Sequence, residues 1–115
     1  MTAHPAVGPF AAACHCARVA EGVYEKDLDE TYWGHEAQFG GYAHALVLTA
    51  MRDALGDDAM APVSMSIHFI RPFLAGRFRC EVVVERRGRT MANVHARAYS
   101  GGKLAGQAIA SFARR

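Results

Sequence analysis

Gln38-Phe39-Gly40-Gly41-Tyr42-Ala43-His44-Ala45-Leu46-Val47-Leu48-Thr49-Ala50-Met51 is the stretch that decides the fold. From Tyr42 onward it is apolar around nearly the whole helical circumference, where an amphipathic surface helix shows a stripe. Such a helix has to be covered by other parts of the chain. It is too short and too rich in alanine to cross a bilayer, which takes about 20 residues. Strand-like runs follow it and can supply the cover. Two consecutive glycines at its start let the backbone come close to a ligand. The unpaired N–H groups and the dipole at a helix N-terminus favour negative charge. The helix start is therefore a candidate site for polarising a carbonyl or holding an anion.

The helix is predicted over residues 41–55, with Gly56-Asp57-Asp58 as its stop. Before it, residues 1–9 carry two prolines and a glycine and are expected to fray. Residues 10–17 suit a short helix, and residues 18–28 suit one strand softened by Gly22. Residues 29–38 form a loop crowded with Asp29, Glu30, Tyr32, Trp33, His35 and Glu36. After the helix, residues 63–71 alternate, with Met65, Ile67 and Phe69 on one face and Ser64, Ser66 and His68 on the other. Pro72 ends that run. Residues 78–86 group Phe78, Cys80, Val82 and Val84. Arg87-Gly88-Arg89 is a turn. Residues 90–99 set Ala92, Val94, Ala96 and Ala98 against Asn93, His95 and Arg97. Ser100-Gly101-Gly102 is a hairpin turn, and residues 104–112 close the sheet. A strand, a helix and a four-strand antiparallel meander make one α+β domain over residues 1–115.

At 115 residues, 51% hydrophobic and 21% charged, the chain is long enough and apolar enough for one real core. A net charge of +2 is too small to point to nucleic acid. No apolar run reaches about 18 residues, so no membrane partner is expected. The N-terminus lacks a basic stretch followed by an apolar one, so no secretory leader is read there. Three cysteines (Cys14, Cys16 and Cys80) are an odd number that suits a reducing, cytoplasmic setting. Cys14-His15-Cys16 with Cys80 falls short of four well-spaced zinc ligands. Cys80 also shares the face of Phe78, so no metal is expected.

Four segments stand in a telling order. They are Phe39-Gly40-Gly41-Tyr42, His68-Phe69-Ile70-Arg71-Pro72, Glu85-Arg86-Arg87-Gly88-Arg89, and Gly102-Lys103-Leu104-Ala105 through Ala110-Ser111-Phe112. In that order, over residues 10–113, the chain resembles the N-terminal hotdog half of the acyl-CoA thioesterase II family. The resemblance implies the hotdog fold, a curved antiparallel sheet wrapped around one long central helix. It implies hydrolysis of acyl-CoA thioesters to free acid and CoA, with CoA entering as part of the substrate and no separate cofactor. In double-hotdog members an Asp, a Thr and a Gln of the second half carry catalysis. Laid over this chain, the Asp falls on Ser64, the Gln on Ala110 and the Thr near Glu85 or Arg86. Single-domain hotdog thioesterases carry an acid on the central helix, where this chain has Leu48. One hotdog leaves an open sheet edge, so a homodimer or a dimer of dimers is expected.

Thioester hydrolysis needs an activated water and donors for the developing oxyanion. Backbone N–H groups near Gly40, Gly41 and Tyr42 suit the donors. Glu36, in the loop before them, suits the base. Gln38 either hydrogen-bonds the thioester carbonyl or caps the helix. His68 is a second candidate base, on the face it shares with Ser64 and Ser66; otherwise it is a solvated or subunit-contact histidine. His95 ranks below it. Trp33, Phe39 and Tyr42 are assigned to substrate binding, Trp33 as a channel wall or a cover for the helix end. Arg86, Arg87 and Arg89 cluster at one hairpin and, with Arg71, are candidates for the CoA phosphates. The alternative for the cluster is a charged turn that keeps the sheet edge soluble. A non-catalytic subunit that binds acyl groups or supports a catalytic partner stays open as a second reading. A hydratase, for which His35-Glu36 is the nearest feature, is a third.

Overall fold

Gly22 adopts a positive φ of 71°, and its carbonyl accepts a hydrogen bond from the Val82 N–H at 2.7 Å. This splits the single strand expected over residues 18–28 into a hairpin of β1 (Ala17–Ala20) and β2 (Val23–Leu28). The computed structural model describes residues 9–29 and 40–115. A short helix α1 (Pro9–Cys14) precedes the hairpin.

The long helix α2 spans Gly40–Leu55. It ends at Gly56, whose φ of 66° allows a C-terminal cap with its N–H on the Arg52 carbonyl at 3.0 Å. Tyr42, Ala43, Leu46, Val47, Ala50, Met51 and Leu55 are buried, while His44, Ala45, Leu48 and Thr49 are half-buried and Arg52 and Asp53 exposed. Among the described residues the sheet covers the helix along one side and α1 meets its start, so the cover is less complete than its composition suggests. Each fully buried Leu, Val or Met side chain contributes about 1.5–3 kcal/mol. A glycine inside a helix costs only about 1 kcal/mol. Packing, not propensity, holds α2 in place. Tyr24 of β2 lies buried and donates to Asp53 Oδ2 at 2.6 Å. Burial, and then this bond, hold its phenol well above the usual tyrosine range.

The remaining strands are β3 (Met60–Phe69), β4 (Gly76–Arg87), β5 (Met91–Ser100) and β6 (Lys103–Arg114), in one six-stranded sheet ordered β1-β2-β4-β5-β6-β3. All neighbouring strands run antiparallel. The meander expected of four strands holds for β4, β5 and β6 only. β3 pairs with β6 at the far edge, and residues 70–75, with Pro72, carry the chain back across to β4. Gly101 and Gly102 both have positive φ, which the tight β5–β6 turn requires.

The alternation read from the sequence recurs on the strands. Phe78, Cys80 and Val82 of β4, Ala92, Val94, Ala96 and Ala98 of β5, and Ala108, Ala110 and Phe112 of β6 are buried. These side chains, small on β5 and larger at Phe78 and Phe112, form a floor on which α2 meets β4 and β5. The three cysteines are buried and free. Burial pushes the Cys16 thiol up to about 11 and the Cys80 thiol up to about 12, so both stay protonated and poorly reactive near neutral pH. Among the described residues no group of three or more His, Cys, Asp or Glu side chains is placed to hold a metal ion. No described helix is long and apolar enough to cross a membrane.

Candidate functional site

Trp33, Glu36, Gln38 and Phe39, together with His35, lie outside the described residues. Gly40 and Gly41 open α2, and its first turn contains no acidic residue. The positive end of the helix is thus left without a carboxylate from its own turn. Tyr42 is buried, and its hydroxyl donates to the Ala13 carbonyl at 2.6 Å. That bond fastens α1 to the start of α2.

His68 lies on the other side of the sheet. Ile67 pairs with Ala108, whose side chain is buried, so the next residue along, His68, faces away from α2. Within one chain the structure does not bring His68 and the helix start together. The outward face reads in rows across the strands. His68, Gln107 and Arg97 form one row; Ser66, Ile109 and His95 the next; Ser64, Ser111 and Asn93 the third. A depression of about 580 Å³ is lined by Ser66, His68, His95, Arg97, Gln107 and Ile109 among others. A smaller one of about 280 Å³ adjoins it, with Ser64, Glu85, Asn93 and Ser111 in its lining.

A β-bulge in β4 shapes this face. Val84 pairs with Val94 and Arg86 with Asn93, so Glu85 is the extra residue. Its carboxylate meets His95 Nδ1 at 2.6 Å. From the sequence alone His95 ranks below His68, and nothing marks Glu85 as its partner. Two parity arguments were available, since both residues fall on the outward positions of their strands, but the bulge that joins them leaves no mark in the pattern. The same bulge parts the arginines. Arg86 pairs with Asn93 on the outward face, whereas Arg87 pairs with inward-facing Ala92. Arg87 then donates to the Leu55 carbonyl at 2.6 Å, closing the C-terminus of α2. The Arg89 carbonyl accepts from Arg114 Nε at 2.8 Å. Arg71 is exposed at the end of β3, where its N–H and that of Ile70 share the Ala105 carbonyl.

The positions implied by the family overlay divide between the two faces. Ser64 pairs with Ser111 and is exposed; Ala110 is buried on the helix side. The two cannot share a site in this chain. Glu85, near the overlay's third position, lies with Ser64 around the smaller depression. Leu48 packs against the core on the flank of α2.

The sequence model of the acyl-CoA thioesterase N-terminal domain matches residues 29–113. The chain belongs to this family. A candidate thioesterase II from Thermobifida fusca is 30% identical, with a TM-score of 0.83, over 91% of this chain and 39% of that one. A protein of unknown function with a hot dog fold from Alicyclobacillus acidocaldarius is 20% identical, with a TM-score of 0.85, over 96% of this chain and 41% of its own. A Bacillus halodurans protein solved with CoA is 17% identical, with a TM-score of 0.74, over 81% of this chain and 66% of its own. The chain thus spans 39% and 41% of the first two structures. The fold implied by the resemblance, a hotdog, is the fold observed. No curated protein matches the chain.

Proposed function

We propose that this domain binds acyl-CoA thioesters and hydrolyses them to free acid and CoA, with CoA entering as part of the substrate. The observation that carries the reading is the depression of about 580 Å³ on the outward sheet face, where Ser66, His68, His95, Arg97 and Gln107 stand beside apolar residues such as Ile109, in a chain whose family match runs through residues 29–113. The backbone N–H groups at Gly40 and Gly41 are the proposed oxyanion donors. The proposed base is Glu36 from the loop or a histidine from the sheet face, His68 in the sequence reading. Trp33 and Phe39 are assigned to the acyl or pantetheine path, and Gln38 to the carbonyl or the helix cap; Tyr42, expected with them from the sequence, is buried with its hydroxyl on the Ala13 carbonyl and packs the helix start instead. Arg71, Arg86 and Arg89 are assigned to the phosphates; Arg87, expected with them from the sequence, instead holds the Leu55 carbonyl at the end of α2. Because α2 and His68 lie on opposite sides of the sheet, a site using both needs a second copy. A homodimer, or a dimer of dimers, is the proposed working unit.

Purified protein is to be offered a panel of acyl-CoAs while free thiol is followed with a chromogenic disulfide. The buried cysteines keep the background low. Turnover with at least one acyl-CoA is expected. A fall of about 100-fold or more with Glu36→Gln would place the base in the loop; turnover that survives it places the base on the sheet face. Leu48 on α2, and the split of Ser64 and Ala110 between two faces, favour the second reading, a non-catalytic acyl-binding subunit. Acyl-CoA binding without thiol release would establish that reading instead.

A further inference from the structure

We infer that His95, oriented by Glu85, is the proton acceptor of the sheet-face site; this deepens the thioesterase reading and rests on it. The 2.6 Å contact commits the Nδ1 of His95 to the Glu85 carboxylate, which leaves Nε2 as the available ring nitrogen. The pair stands where the two depressions meet. Glu85 lines only the smaller one, His68, Arg97 and Gln107 line only the larger, and His95 lines both. The carboxylate therefore holds the ring from one side while Nε2 serves the other.

Stability does not account for this pair. Its side chains are 36% and 54% exposed, and exposed ion pairs contribute about 0–1 kcal/mol. A bulge that removes Glu85 from the ladder costs regular pairing for that small return, whereas bulges beside active sites re-aim a side chain. The larger depression also holds groups that a thioester needs. Gln107 and Ser66 offer donors to a carbonyl oxygen. The Arg97 side chain makes no hydrogen bond or ion pair with another described residue and lines the larger depression, where a guanidinium suits a phosphate. His68 lines the same depression and has no carboxylate partner among the described residues.

In the step, His95 Nε2 takes a proton from water as the water oxygen bonds to the thioester carbonyl carbon. The tetrahedral adduct collapses, the C–S bond breaks, and the imidazolium returns that proton to the departing thiolate. Free acid and the CoA thiol leave, and His95 is restored. Glu85 acts through His95 and is a positioning residue.

The test is steady-state hydrolysis of the best acyl-CoA from the panel by wild type, His95→Gln and Glu85→Gln, with ¹⁵N NMR of the imidazole. His95→Gln is expected to lower kcat about 100-fold or more with KM little changed. Glu85→Gln, which keeps size and removes charge, is expected to lower kcat about 10-fold and to turn a single Nδ1–H tautomer of His95 into a mixture, a signature that a merely structural role would not move. Wild-type turnover undiminished by His95→Gln overturns the inference and leaves the thioesterase reading standing. No wild-type turnover with any acyl-CoA overturns both.

Discussion

Replacing Gly22 by alanine is expected to destabilise the fold by about 3 kcal/mol and to lower the melting temperature by roughly 10 °C. Two costs add at this position. The φ of 71° is one that residues with a side chain rarely adopt, and a Cβ there would sit 2.5 Å from the Val82 carbonyl oxygen. That oxygen is backbone, so it cannot swing aside as a flexible side chain would. Moving it also strains the bond from the Val82 N–H to the Gly22 carbonyl at 2.7 Å. Gly101 provides the control, since its φ is 57° but no atom lies within 4 Å of the added carbon. Gly101→Ala is expected to cost only the conformational part, about 1–2 kcal/mol. Urea unfolding of both variants checks the difference. Equal losses would mean that the close approach to β4 does not exist.

Phe73→Ala is expected to cost about 3–5 kcal/mol, through lost apolar burial and the cavity left behind. Phe73 is 2% exposed although it lies in the connection between β3 and β4. Its ring stands edge-on to Phe69 at 6.2 Å and tilted against Phe78 at 5.9 Å. A Cβ on Gly106 would fall 3.3 Å from that ring, so a small residue there makes room for it. The ring thus ties the end of β3 to β4 and β6, and the strand it secures carries His68. The urea midpoint reads the loss directly. A change below about 1 kcal/mol would show that the connection does not plug the core.

Strand positions and their inner faces were legible because a period of two survives in β4, β5 and β6. Phe78, Cys80 and Val82, and Ala92, Val94, Ala96 and Ala98, are buried as that pattern demands. The end of α2 was legible because Gly56 can adopt the left-handed cap. Three features escaped for definite reasons. A single glycine inside an apolar run reads as softness, yet the contact of Gly22 with Val82 comes from β4, far along the chain. The pairing of β3 with β6 is non-local, and nothing in either strand's pattern names its partner. The one-sided burial of α2 among the described residues depends on how many layers cover it, which composition does not state.

The candidate site was legible in part. His68 and its outward face followed from alternation, and its row with Gln107 and Arg97 matches that parity. The Glu85–His95 contact depends on a register shift between Val84 and Arg86. That shift also sends Arg86 and Arg87 to different faces, although they are consecutive in the sequence.

An NMR titration of ¹⁵N-labelled protein with a non-hydrolysable acyl-CoA thioether tests most directly whether acyl-CoA occupies the outward sheet face. Saturable shifts are expected at Ser66, His68, His95, Gln107 and Ile109, residues around the larger depression. Saturable shifts that bypass all five of them, or none at ligand concentrations of about 1 mM, would contradict it.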